Sequence, residues 1–159
     1  MEIDQLRAVS ILRNLDDEEL RGFASLLQVR EIKPKERIIE EGTPVGSFYI
    51  ICYGVVHIRR LAQKREMLIA RLGVGGFFGE INLFDPGVAT ASIYAVKPTQ
   101  LAVVDYGPLR AFMSENPAAG YKLVSAIMTE TAGRLRRTDA RLVQNAYWSS
   151  SEASLPGRA

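Results

Sequence analysis

Between Val29 and Tyr106 the chain is cut into short β-branched and aromatic runs: RIIEE, SFYIICY, VVHIRR, EMLIARL, ASIYAV and QLAVVDY. Glycine, proline and lysine separate them at intervals of about eight to twelve residues. Runs this short are strand-length, and the repeated punctuation turns the chain back on itself. The pattern predicts an antiparallel sandwich or barrel, and everything else in the sequence must fit around it.

Helical patterning flanks this block. Ile3, Leu6, Ile11 and Leu12 recur at roughly helical spacing, as do Leu15, Leu20, Phe23, Leu26 and Leu27 after an acidic start at Asp16-Asp17-Glu18-Glu19. Helical texture returns at Gly107, and Asn116-Pro117 supplies an N-cap followed by proline at the first helical position. Beyond it Tyr121, Met128, Leu135 and Leu142 form one line of a heptad repeat, with Val124, Thr131, Thr138 and Asn145 on the other. Polar residues on one line of such a seam specify register, so a parallel homodimer through this helix is expected. The alternative is a helix that packs on its own β core. The tail SSSEASLPGRA is poor in apolar residues and is expected to be disordered. Residues 1–115 thus read as helical lead-in and β-roll, 116–148 as dimerisation helix and 149–159 as tail.

The whole-chain numbers exclude some functions. At 159 residues and 47% hydrophobic content the chain can bury one real core. A net charge of +2 gives no global case for nucleic acid or anionic membrane. The cluster Arg134, Arg136, Arg137 and Arg141 reads first as a solvated helix face. One cysteine suits a reducing compartment, MEIDQLRAV is not a signal peptide, and the apolar tract FYIICYGVV is too short to span a bilayer. A cytoplasmic protein without membrane attachment is expected.

A small β-barrel can house a metal-dependent, cupin-like site, which needs several His and carboxylate ligands on one interior face. This chain has one histidine. Read as one strand region, Cys52 and His57 are an odd number of residues apart and fall on opposite faces. Neither has a base-and-orienter pair. No enzyme, metal or cofactor is expected.

The more informative stretch is glycine-rich. Gly73, Gly75 and Gly76 precede Phe77-Phe78, and Gly79-Glu80 then opens INLF, a segment the length of one helical turn. Backbone N–H groups at such a start form an anion nest. Equally, Glu80 would complement the helix end by itself.

The order EEGTPVGSFYIICYGVVHI, then GGFFGEINLF, then small residues leading into ASIYAV, resembles the cyclic nucleotide-binding domain. The long helix carrying RLRRTDARLVQNAYW is similar to the dimer helix of the catabolite activator protein group. Together the resemblance covers about residues 10 to 148. It implies a fold that is α+β but mainly β: an antiparallel β-roll with N-terminal helices and a long C-terminal dimerisation helix. In that family a cassette of the form F-G-E, short helix, R-[AS]-A holds the ligand. Its glutamate takes the ribose hydroxyl, its amides the cyclic phosphate, and its arginine the phosphate charge.

Carried over, the resemblance places Gly79 and Glu80 at the Gly-Glu pair, Ile81 at the next aliphatic position and Thr90 at the small residue after the arginine. The arginine position falls on Ala89, and no arginine lies between Arg71 and Arg110. On the long helix Arg134 and Thr138 match the residues that reach the nucleotide, and they share a helix face. Losing the bidentate partner of a buried anion costs about 2–5 kcal/mol, which is a factor of roughly tens to thousands in affinity. The expected function is a non-catalytic regulatory module that takes cyclic AMP or cyclic GMP weakly or not at all. The alternative is a dimeric interaction scaffold with an empty pocket or one remodelled for another small molecule. The chain ends soon after Trp148, so specific DNA binding by this chain alone is not expected. A downstream protein regulated in trans fits either reading.

Overall fold

The computed structural model of the chain describes residues 3–152, with side chains over 4–145. The chain divides into two compact units, one running to Leu123 and the other starting at Val124. The first opens with α1 (Ile3–Arg7), a 3-10 turn (Ser10–Leu12) and α2 (Asp17–Ala24). Strands β1 (Gln28–Ile32), β2 (Arg37–Ile39), β3 (Ser47–Tyr53), β4 (Val56–Ala62), β5 (Arg65–Leu72) and β6 (Phe77–Phe78) follow. Helix α3 (Glu80–Phe84) then precedes β7 (Ser92–Ala95) and β8 (Thr99–Asp105), and α4 (Tyr106–Glu115) leads to α5 (Pro117–Glu152).

The strands form two antiparallel four-stranded sheets, ordered β1-β8-β3-β6 and β2-β7-β4-β5. Between them lies an apolar cluster that includes Ile39, Tyr49, Ile51, Phe78, Ala89, Ile93 and Leu101. Tyr49 and Phe78 stack there at 4.7 Å. The first sheet is buried on its other face too, where Phe48, Ile50, Phe77, Ala102 and Val104 are inaccessible. That explains why SFYIICY reads as a continuous apolar run rather than an alternating one. The second sheet keeps its outer face in solvent: β4 is half-buried and β5 largely exposed.

Asp16 caps α2 through a reciprocal box, its carboxylate accepting from the Glu18 and Glu19 N–H groups while Glu19 accepts from the Asp16 N–H at 2.8 Å. Both Glu19 oxygens also accept from Lys122 Nζ, at 2.9 and 2.7 Å, joining α2 to the first turns of α5. Ala119 and Leu123 are buried there. Those first turns therefore belong with the roll, and the break in compactness falls inside α5, not at residue 116. The helix starts at Pro117, as its capping signal predicts, and runs through Ser149 to Glu152, which contain neither glycine nor proline. The rest of the expected tail lies outside the described residues.

One placement differs from the sequence reading. Cys52 and His57 are not on one strand: Cys52 is on β3 and His57 on β4, in different sheets. The turn between them passes through Gly54, at φ +99°, where a Cβ would lie 2.3 Å from Thr99 Oγ1. β3 and β4 run on in one direction against β8 and β7, so the glycine marks a bend from one sheet into the other inside an apolar run.

Candidate ligand-binding site

The stretch from β6 to β7 is built around two close approaches. Gly79 has φ +87°, and a Cβ on it would sit 2.5 Å from the Ser47 carbonyl oxygen. Only glycine satisfies both conditions. Its carbonyl accepts a 2.5 Å hydrogen bond from Tyr106 Oη. Glu80 is thereby delivered as the first residue of α3, with a side chain that is only 8% exposed.

The far end of α3 is held as firmly. Arg110 Nη2 donates to the Leu83 carbonyl at 2.7 Å, and its guanidinium lies 5.5 Å from the Tyr106 ring centroid. Asn82, buried, donates through Nδ2 to the Val88 carbonyl at 3.2 Å, tying α3 to the loop before β7. Tyr106 has its phenol pKa pushed up to about 12, first by burial and then by Tyr49 and Glu80, with Arg110 opposing. Glu80 is thus close enough to be felt by the residue that fixes its own turn.

Ala89 is buried, and its methyl belongs to the apolar cluster inside the roll. Its N–H donates to the Thr43 carbonyl and its carbonyl accepts from the Gly42 N–H, both at 2.8 Å. Residue 89 is therefore positioned by backbone pairing with the β2–β3 loop, whatever its side chain. Ile81 and Thr90 are exposed. Gly79, Glu80, Ile81, Ala89 and Thr90 accordingly belong to one connected segment. Arg134 and Thr138 lie on α5 in the second unit, Arg134 half-buried and Thr138 exposed, with the threonine hydroxyl donating to the Arg134 carbonyl at 3.1 Å.

Sequence reasoning missed Tyr106, Arg110 and Asn82. Arg110 is the arginine that ends the arginine-free tract, and the fold brings it back to α3, but onto the carbonyl of its last turn. Asn82 carried a readable signal, a lone amide in an otherwise apolar turn. Among the described residues no group of three or more His, Cys, Asp or Glu is placed to hold a metal ion. No helix among them is long and apolar enough to cross a membrane.

The model of the cyclic nucleotide-binding domain family matches residues 29–116. The chain belongs to that family. It is 28% identical over 154 residues to the CRP-like cAMP-activated global transcriptional regulator of Mycobacterium tuberculosis, covering 96% of this chain and 65% of the regulator. The chain thus spans somewhat under two-thirds of that relative's length. Over 90 residues it is 33% identical to the cAMP-dependent protein kinase type II regulatory subunit of Drosophila melanogaster, covering 57% of this chain and 24% of that one. Among solved structures, the N-terminal domain of a transcriptional regulator from Streptomyces coelicolor superposes with a TM-score of 0.70 at 28% identity, over 87% of this chain and 95% of that one. The catabolite activator protein of Thermus thermophilus gives 0.73 at 27% identity, over 87% and 63%. These relatives are regulators, and the β-roll with flanking helices is the fold of the cyclic nucleotide-binding domain.

Proposed function

We propose that this chain is a non-catalytic, cytoplasmic regulatory module whose roll senses a small ligand of the cyclic nucleotide type and whose α5 pairs two copies. The observation that carries the sensing role is the cassette itself. Glu80 is buried on a turn that Tyr106, Arg110 and Asn82 hold with three separate hydrogen bonds. A buried carboxylate on a turn whose backbone is held at both ends suits hydroxyl recognition better than helix complementation alone. In this reading Gly79, Glu80, Ile81 and Thr90 supply the ribose and phosphate contacts. Ala89 leaves the cyclic phosphate without its side-chain cation, so affinity for cyclic AMP or cyclic GMP is low.

Pairing is supported by the seam. Met128, Leu135 and Leu142 are each 62% exposed and Tyr121 is 76% exposed, an apolar stripe left open among the described residues. No specific DNA contact is assigned to the chain alone, and its output passes to a protein in trans or to a further segment.

The second reading is a dimeric interaction scaffold with an empty or remodelled pocket. It is favoured by the apolar company of the Ala89 methyl, which suits a packed interior. Calorimetry separates the two. On the sensing reading, Ala89→Arg tightens cyclic AMP or cyclic GMP binding by about 2 kcal/mol, and adding Glu80→Ala removes most of the gain. An Ala89→Arg protein that folds but binds neither nucleotide would favour the scaffold.

A further inference from the structure

The open face of the second sheet carries a row of cations. Cross-strand pairing sets Arg37 beside Tyr94, Tyr94 beside His57, and His57 beside Arg71, so one row crosses β2, β7, β4 and β5. Arg59, on the same face of β4, lies 5.4 Å from the Tyr94 ring centroid. Lys35 closes one end, its N–H donating to the Ala95 carbonyl at 2.8 Å. Lys35, His57, Arg59, Tyr94, Ala95 and Val96 line a groove of about 430 Å³.

The cations in this row are only partly neutralised. Arg37 pairs with Glu40 at 2.9 Å and Arg59 with Glu66 at 3.4 Å, while Tyr94 donates to the other Glu66 oxygen at 2.8 Å. Among the described residues neither Lys35 nor Arg71 has an ion-pair partner. The excess is felt locally: burial, then Arg59 and Arg71, hold the His57 imidazole below its ordinary pKa.

We propose that this face docks a short acidic peptide segment of a partner protein, with carboxylates meeting Lys35 and Arg71 and the chain crossing Tyr94. The two cations stand at opposite ends of the row with β7 and β4 between them, roughly 10–15 Å at the usual inter-strand spacing. About four or five extended residues cover that span. The interspersed Glu40 and Glu66 argue against a nucleic-acid backbone, whose charges recur about every 1.7 Å along a duplex and would be forced onto those carboxylates. A peptide can place its acidic residues at the ends and neutral ones between. The surface lies on the outside of the roll and does not depend on whether the interior binds a nucleotide.

Fluorescence anisotropy tests this on the full chain, with a labelled peptide carrying glutamates at both ends and alanines between, its glutamine counterpart and a short labelled oligothymidylate. The glutamate peptide should bind at physiological salt and the glutamine peptide should not. Lys35→Glu with Arg71→Glu should weaken binding at least about tenfold, while Arg30→Glu, on β1 of the other sheet, should leave it unchanged. Should the reversed pair melt early, Lys35→Gln with Arg71→Gln is read instead, and a several-fold loss is expected. Equal weakening by Arg30→Glu, no binding of the glutamate peptide, or oligothymidylate binding as tightly as the peptide would each overturn the proposal.

Discussion

Tyr106, the first residue of α4, donates its hydroxyl to the carbonyl of Gly79, the glycine on which the delivery of Glu80 depends. The helix after the roll and the turn inside it are therefore one mechanical unit, joined again where Arg110 reaches Leu83.

Tyr106→Phe removes that hydrogen bond without changing the shape of the ring. It should lower unfolding free energy by about 1 kcal/mol at neutral pH. Alkali gives a second readout. The unfolded phenol loses its proton near the ordinary value of 10.0, the folded one only near 12. This contribution is therefore fully present below the lower value and is lost as pH rises through that window. Urea titrations at pH 8 and pH 11 should show the wild type losing more stability than Tyr106→Phe, and parallel losses would refute the coupling.

Gly79→Ala must both occupy φ +87° and crowd the Ser47 carbonyl. The left-handed conformation alone costs about 1–2 kcal/mol, and the 2.5 Å approach adds to it. Gly87→Ala is the control, since its nearest neighbour is Asn82 Nδ2 at an ordinary 3.9 Å. Thermal melts should separate the two variants by many degrees; similar melting temperatures would remove the steric account.

On α5 the seam makes a sharp prediction. Leu135→Asp should convert a dimer to monomer in light scattering, because a charge at the middle of a heptad line cannot be buried against its symmetry mate. An unchanged dimer mass would move the interface elsewhere.

His57 is the chain's one histidine, so a single imidazole resonance can be followed. Its midpoint should lie below 6.5, through burial and the Arg59 and Arg71 charges, and Arg71→Gln should raise it. Because the folded form resists protonation, this group removes stability as pH falls through the unfolded value. An NMR titration unaffected by Arg71→Gln would show that the cross-strand charge is not felt.

Much of this architecture was readable before any coordinates, and the exceptions have physical reasons. The apolar strands announced themselves because they fill the space between the sheets. QVREI did not, since β1 is mostly exposed and exists as a strand through pairing with β8. The two-residue β6 was hidden within its glycine-rich surroundings. The heptad lines of α5 were legible because helical spacing is local. Gly79 and Glu80 were legible as a motif, but the residues that support them were not. Tyr106 and Arg110 each reach partners 27 positions away, and no local pattern encodes a contact of that span. Ala89 was noticed only as a departure, whereas its structural place comes from the backbone of Gly42 and Thr43.

Glu19 holds the start of α2 and also receives Lys122, a residue 103 positions later. During synthesis α2 is made almost at once, yet its ion-pair partner is among the last parts of this unit to be translated. At roughly 5–20 residues per second the interval is about 5–20 seconds. Throughout that time Glu19 lacks its cation, and until α4 is made Phe23 lacks Phe112, whose ring centroid lies 6.2 Å away in the folded unit. The helix that leads out of the roll therefore closes its ion pair on α2 only at the end of this unit's synthesis.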